Sequence, residues 1–124
     1  MTRHIYFVDY ALMGGRVSYL GEFEQVVLLA VIHLGDDAYG AAIRREIESR
    51  GERTVTIGAA YATLDRLVDK GYLRQYESSG GPERAGQPRR YFAVTTAGVA
   101  ALEAARALHN RMWDGVQLPK GKRA

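Results

Sequence analysis

The chain has 124 residues, 47% hydrophobic and 25% charged, with a formal net charge of +3 and a pI of about 9.3. That length holds one small core rather than two domains, the composition excludes wholesale disorder, and the longest apolar run, residues 26–32, is far too short to span a bilayer. Cysteine is absent, which excludes a disulfide scaffold and cysteine-ligated zinc or iron–sulfur sites, and the N-terminus lacks the layout of a signal peptide, so cytoplasmic residence without a membrane partner is expected.

Residues 1–20 read two ways: Ile5, Val8 and Leu12 fit a helix, whereas the run IYFV fits a strand. They are expected to form an N-terminal extension, a short helix or an arm in a dimer. From Glu22 to Leu34, apolar residues recur at Phe23, Val26, Val27, Ala30, Val31 and Leu34, a spacing of three to four that defines one face of a helix. Gly35-Asp36-Asp37 interrupts it, and either aspartate can cap a second helix over residues 38–50, with Tyr39, Ala42, Ile43 and Ile47 inward and Gly51 as its stop. Arg44, Arg45, Glu48 and Arg50 fall largely outside that apolar stripe.

Residues 54–56 are β-branched and suit a small strand or an extended link, with Thr56 an N-cap for a third helix over residues 57–70 that ends at Gly71. Tyr61, Leu64, Leu67 and Val68 are assigned to its inward face, and Gly58, Ala59, Ala62, Thr63, Arg66 and Lys70 to the opposite one. Two alternating runs follow, YLRQYES and RRYFAVT, as a pair of strands should. The connection GGPERAGQPR is too long and irregular for a two-residue turn and reads as an exposed wing. Thr95 is the expected N-cap of a fourth helix, Thr96 to Trp113, closed by Asp114-Gly115 and followed by a mobile tail.

Positive charge is unevenly placed. Three arginines face one glutamate between Gly80 and Arg90, and five basic residues face only Asp114 from Arg106 onward. Such clusters suit a polyanion such as nucleic acid, because phosphate contacts release condensed counterions, and for charge alone a solvated basic surface is the equal alternative.

The order is helix, helix, extended link, helix, strand, wing, strand, long helix, a mainly α fold with a small β hairpin. With LGEFEQVVLLAV, Tyr39-Gly40, the segment from Tyr61 to Leu67, Lys70-Gly71-Tyr72-Leu73 and RRYFAVTTAG, the chain resembles the PadR family of transcriptional regulators, a winged helix-turn-helix group among the MarR-like repressors. The resemblance covers residues 20–108. It implies a DNA-binding domain over residues 21–95, a dimerisation helix over 96–114 and a basic tail over 115–124. It also implies a homodimer on a pseudo-palindromic double-stranded operator, usually as a repressor, with the third helix in the major groove and the wing on neighbouring backbone. Carried onto this sequence, it points to Tyr61, Thr63, Arg66 and Lys70 of the helix and to Arg84, Arg89 and Arg90 of the wing as DNA-binding residues. Asp65 departs from the family's basic or neutral preference, since a carboxylate near phosphate is unfavourable unless paired.

Leu102, Ala105, Leu108, His109, Met112 and Trp113 form a broad apolar face on the fourth helix, which needs a partner. Leu102, His109, Met112 and Trp113 are the expected dimer seam, where a small aromatic effector could also lodge. An enzyme finds little support: His4, His33 and His109 lie in different elements without metal-ligand spacing, no phosphate-cradling glycine loop is present, and Asp36-Asp37 lacks the second constellation that catalysis would need. No metal or cofactor is expected. A winged helix used only for protein contacts is the remaining alternative.

Overall fold

A computed structural model describes residues 19–79 and 88–121. Residues 1–18 of the N-terminal arm or helix expected over residues 1–20, the wing tip with Arg84, and the last three residues of the tail lie outside the described residues. The elements are α1 (Glu22–Leu34), a 3-10 turn (Gly35–Asp37), α2 (Gly40–Gly51), α3 (Ile57–Asp69), β1 (Leu73–Ser79), β2 (Pro88–Val94) and α4 (Thr96–Trp113).

Three helices and the hairpin close around one core. α1 contributes Val27, Leu28 and Val31, α2 contributes Ile43 and Ile47, α3 contributes Leu64 and Leu67, and the hairpin adds Leu73 and Phe92. The three-to-four spacing of these positions turns one stripe of each helix inward. α1 and α4 follow their expected bounds, and Thr56 and Thr95 act as the expected caps, Thr56 accepting from the Ala59 N–H at 3.1 Å and Thr95 from the Gly98 N–H at 3.0 Å. α2 starts later than expected. Residues 35–37 are taken by the 3-10 turn, so neither aspartate caps α2 and Tyr39 is its N-cap. At the other end Gly51 remains helical, and Glu52 makes the left-handed exit at φ +53°.

β1 and β2 pair antiparallel with Leu73 opposite Val94 and Tyr76 opposite Tyr91. A third extended segment joins them through the Tyr39–Tyr91 bridge and the Phe92 N–H donated to the Ala38 carbonyl at 2.9 Å. The added rung therefore comes from the start of α2 and not from residues 54–56. That link is held by side chains: Glu48 accepts from the Val55 N–H at 2.9 Å, and Arg44 donates to the Val55 carbonyl at 3.2 Å. α4 leaves the hairpin against the core through Ala97, Ala101 and Leu102.

Candidate nucleic-acid interface

α3 is the core helix that turns a face of small side chains to solvent. Its exposed side carries Ile57, Gly58, Ala59, Ala62, Asp65, Arg66 and Asp69, so a run of small side chains lets its backbone approach a surface closely. Its buried side is Ala60, Thr63, Leu64 and Leu67. Thr63 is only 3% exposed and its hydroxyl accepts from Arg66 at 3.3 Å, which corrects its expected place on the outward face. Tyr61 is half-buried, its ring end pressed against the first residue of α2: a Cβ on Gly40 would collide with the Tyr61 hydroxyl.

The two cations of this helix end are committed to an internal partner. Glu24, in the first turn of α1 and 6% exposed, accepts from Arg66 Nε at 3.0 Å, from Lys70 Nζ at 2.8 Å and from the Gly21 N–H at 2.8 Å. Burial pushes the Glu24 carboxyl upward, but the hydrogen bonds from Lys70, the Gly21 N–H and Arg66, with the Lys70 charge, outweigh it and hold the group below the usual carboxylate range. The arrangement fastens α3 to α1 across a long loop of chain. Arg66 keeps about half of its side chain in solvent, and Lys70 a quarter.

Asp65 finds its partner on the hairpin. Arg90 donates to Asp65 Oδ1 at 2.9 Å and to Gln75 Oε1 at 2.7 Å, with its guanidinium 5.1 Å from the Phe92 ring centre. This ties the second wing strand to α3. Arg89 is on the opposite face of the hairpin, 3.9 Å above the Tyr39 ring. The structure thus gathers Arg66, Lys70 and Arg90 on the α3 side, each with a carboxylate, and leaves Arg89 apart from them.

At the far end, the expected seam divides. Leu102 turns inward onto the core and is not part of an outward face, whereas His109, Met112 and Trp113 are exposed. Met112 and Trp113 line one open depression with Val116 and Leu118. Glu24 is the residue here that the sequence analysis does not single out, and its one local signal is its N3 position three residues after Gly21. Among the described residues no helix is long and apolar enough to cross a membrane.

Three core helices, the third with a small-residue outer face, and a two-stranded wing define a winged helix-turn-helix protein. Residues 28–104 match the family described as the transcriptional regulator PadR-like family, and the chain belongs to that family, whose members are regulators and not enzymes. Similar solved structures include a PadR family transcriptional regulator from Eggerthella lenta, 22% identical, covering 93% of each chain with a TM-score of 0.60. A PadR-like transcription factor from Bacteroides fragilis is 23% identical, covering 74% of this chain and 84% of its own, TM-score 0.63. A winged-helix DNA-binding protein from STIV is 19% identical, covering 81% and 100%, TM-score 0.63. No curated protein matches the chain.

Proposed function

We propose that the chain is a homodimeric, sequence-specific regulator of double-stranded DNA, acting as a repressor on a pseudo-palindromic operator. The observation that carries this reading is the outer face of α3, where Gly58, Ala59 and Ala62 leave the helix backbone bare for close approach to a groove. Arg66 and Tyr61 flank that face, Lys70 braces its end, and Arg84, Arg89 and Arg90 belong to the wing. Thr63 is left out of this set because it is buried. Residues 21–95 are assigned to DNA binding and 96–114 to dimerisation. Two copies of α3 about 34–36 Å apart would meet successive turns of one duplex face.

Occupation of a promoter by such a dimer blocks its use, which is the repressor reading. Met112 and Trp113 supply the outer half of the seam, and a planar aromatic effector entering beside Trp113 would separate or rotate the two copies and release the operator. Quenching or shift of Trp113 fluorescence, the chain having one tryptophan, reports such binding.

Gel-shift titration against the DNA upstream of the chain's own reading frame, repeated at rising salt, tests the reading. A steep fall of log affinity with log salt is expected. Absence of a shift at low salt removes it in favour of a protein-contact module.

A further inference from the structure

The outer face of α3 carries a charge that does not suit its surroundings. Gly58, Ala62 and Asp65 follow one another at spacings of four and three, so the Asp65 carboxylate stands one turn beyond Ala62 on the same exposed strip. Its partner comes from the hairpin. One nitrogen of Arg90, Nη2, donates to Asp65 Oδ1 at 2.9 Å and to Gln75 Oε1 at 2.7 Å, so both of its hydrogens are taken up within the protein. With side-chain exposures of 41% for Arg90 and 62% for Asp65 the pair is solvated, and a pair of that kind adds little to stability. Folding alone gives it small reason to be there.

The other two cations at α3 are held from α1. Arg66 Nε and Lys70 Nζ both donate to Glu24, at 3.0 and 2.8 Å, and Arg66 Nη2 donates to the Thr63 hydroxyl at 3.3 Å. With Asp69 exposed on the same helix, three positive charges around α3 meet three negative ones. The chain as a whole has a pI of about 9.3, so this balance is local.

Attraction to phosphate grows with each cation that can displace a counterion, whatever the base sequence. A cation already shared with a carboxylate displaces less, and a phosphate that approaches it also meets the carboxylate's repulsion. Discrimination is the difference between affinity for the fitting duplex and affinity for all others, so weakening the sequence-independent part raises it.

We propose that Asp65 and Glu24 are specificity-determining residues of α3: by occupying Arg90, Arg66 and Lys70 they hold down its attraction to the phosphates of any duplex, and tight binding then requires a groove that the helix fits. This rests on the reading of the chain as a sequence-specific DNA-binding regulator. Both carboxylates act through the cations they hold. On a fitting duplex α3 is fixed in register, so a freed cation gains only where a phosphate lies within its reach. On any other duplex the complex can shift to find one.

The test compares the wild-type chain with Asp65→Asn, Asp65→Glu and Glu24→Gln by fluorescence anisotropy on two labelled duplexes, one from upstream of the chain's own reading frame and one of the same bases in shuffled order. Affinities are followed from about 50 to about 400 mM salt, and melting curves check that each variant is folded. Asp65→Asn should bind the shuffled duplex several-fold more tightly at low salt and steepen its log–log salt slope by about 0.9, the share of one phosphate. The upstream duplex should gain less, so the affinity ratio of the two falls several-fold. Asp65→Glu should return both values to those of the wild type, and Glu24→Gln, measured below its melting temperature, should move them in the same direction as Asp65→Asn. A wild-type chain that discriminates between the duplexes while folded Asp65→Asn keeps its affinity and slope on the shuffled one overturns this proposal alone. So does an Asp65→Asn variant weakened on both duplexes, which marks a structural role, or one that alters only the ranking of point-mutated upstream duplexes, as a carboxylate reading a base would. A wild-type chain that binds neither duplex at low salt, or binds both alike, takes down the regulator reading together with this proposal.

Discussion

Glu24 shows how one residue can fasten α3 to α1. Burying a carboxylate costs several kcal/mol unless its lone pairs are met, and here Arg66, Lys70 and the Gly21 N–H meet them. Because its folded pKa is lowered from the unfolded value, the stability it contributes is present above that value and is lost as pH falls through the folded pKa. Glu24→Gln is therefore expected to lower stability near neutral pH by about 1–3 kcal/mol. It should also flatten the acid limb of a plot of melting temperature against pH, and parallel acid limbs in the two proteins would assign the loss to other carboxylates. Thr63 makes a complementary case. Its hydroxyl faces Arg66 inside the fold, so Thr63→Val should cost about 0.5–1.5 kcal/mol and leave the ranking of mutated operator sequences as it is. A changed ranking in competition gel shifts would return Thr63 to the groove.

At the scale of elements, what could be read from the chain was what local chemistry specifies. Thr56 and Thr95 announce helices because a hydroxyl before an apolar stripe can accept an orphan N–H, and both do so. The inward face of α3 is legible in Leu64 and Leu67, with Tyr61 and Val68 packed at its edge, but Ala60 and Thr63 also belong to the buried stripe and go unread, because a small and a polar residue do not register as apolar. Tyr39 was placed inward on a helix when it in fact pairs with Tyr91, a contact settled by the returning strand far along the chain. Equally, nothing near Asp65 in sequence names Arg90 as its partner. The junction of β2 and α4 carries a prediction of its own. Thr95 donates its hydroxyl to the Gly71 carbonyl at 2.6 Å and its N–H to the Tyr72 carbonyl at 3.1 Å, which draws the first turn of α4 tightly onto that backbone. A Cβ on Gly98 would strike the Tyr72 carbonyl and come within 2.8 Å of Val94 Cγ1. Alanine normally stabilises a helix relative to glycine by about 0.8–1.0 kcal/mol, but backbone cannot rotate away from a new methyl. Gly98→Ala should thus destabilise by about 1–3 kcal/mol in urea unfolding, and a net gain would mean the approach is looser than described.

For the whole molecule, the question is what covers the end of α4. The first turns of that helix pack on the core through Ala97, Ala101 and Leu102, but beyond them Leu108, Met112, Trp113, Val116 and Leu118 are all exposed, Met112 at 69% and Trp113 at 58%. An 18-residue helix is about 27 Å long, so its outer half projects from the three-helix core with an apolar side of its own. Full burial of a large apolar side chain is worth about 1.5–3 kcal/mol, and a second copy using the same helix buries the set twice over in one two-fold contact. The proposed seam is therefore best tested at its outer half: a charge at Leu102 would damage the core and report on folding, whereas Met112 and Trp113 lie outside the core cluster of the described residues. Met112→Asp/Trp113→Ala should keep the wild-type helical content and melting behaviour of the core while shifting sedimentation from a concentration-dependent dimer to a monomer. Operator affinity should fall at least tenfold, since two tethered half-site contacts become one. A variant that sediments as the wild type does would place the dimer contact elsewhere on the chain, and a monomeric variant with undiminished operator affinity would mean that one α3 suffices for binding.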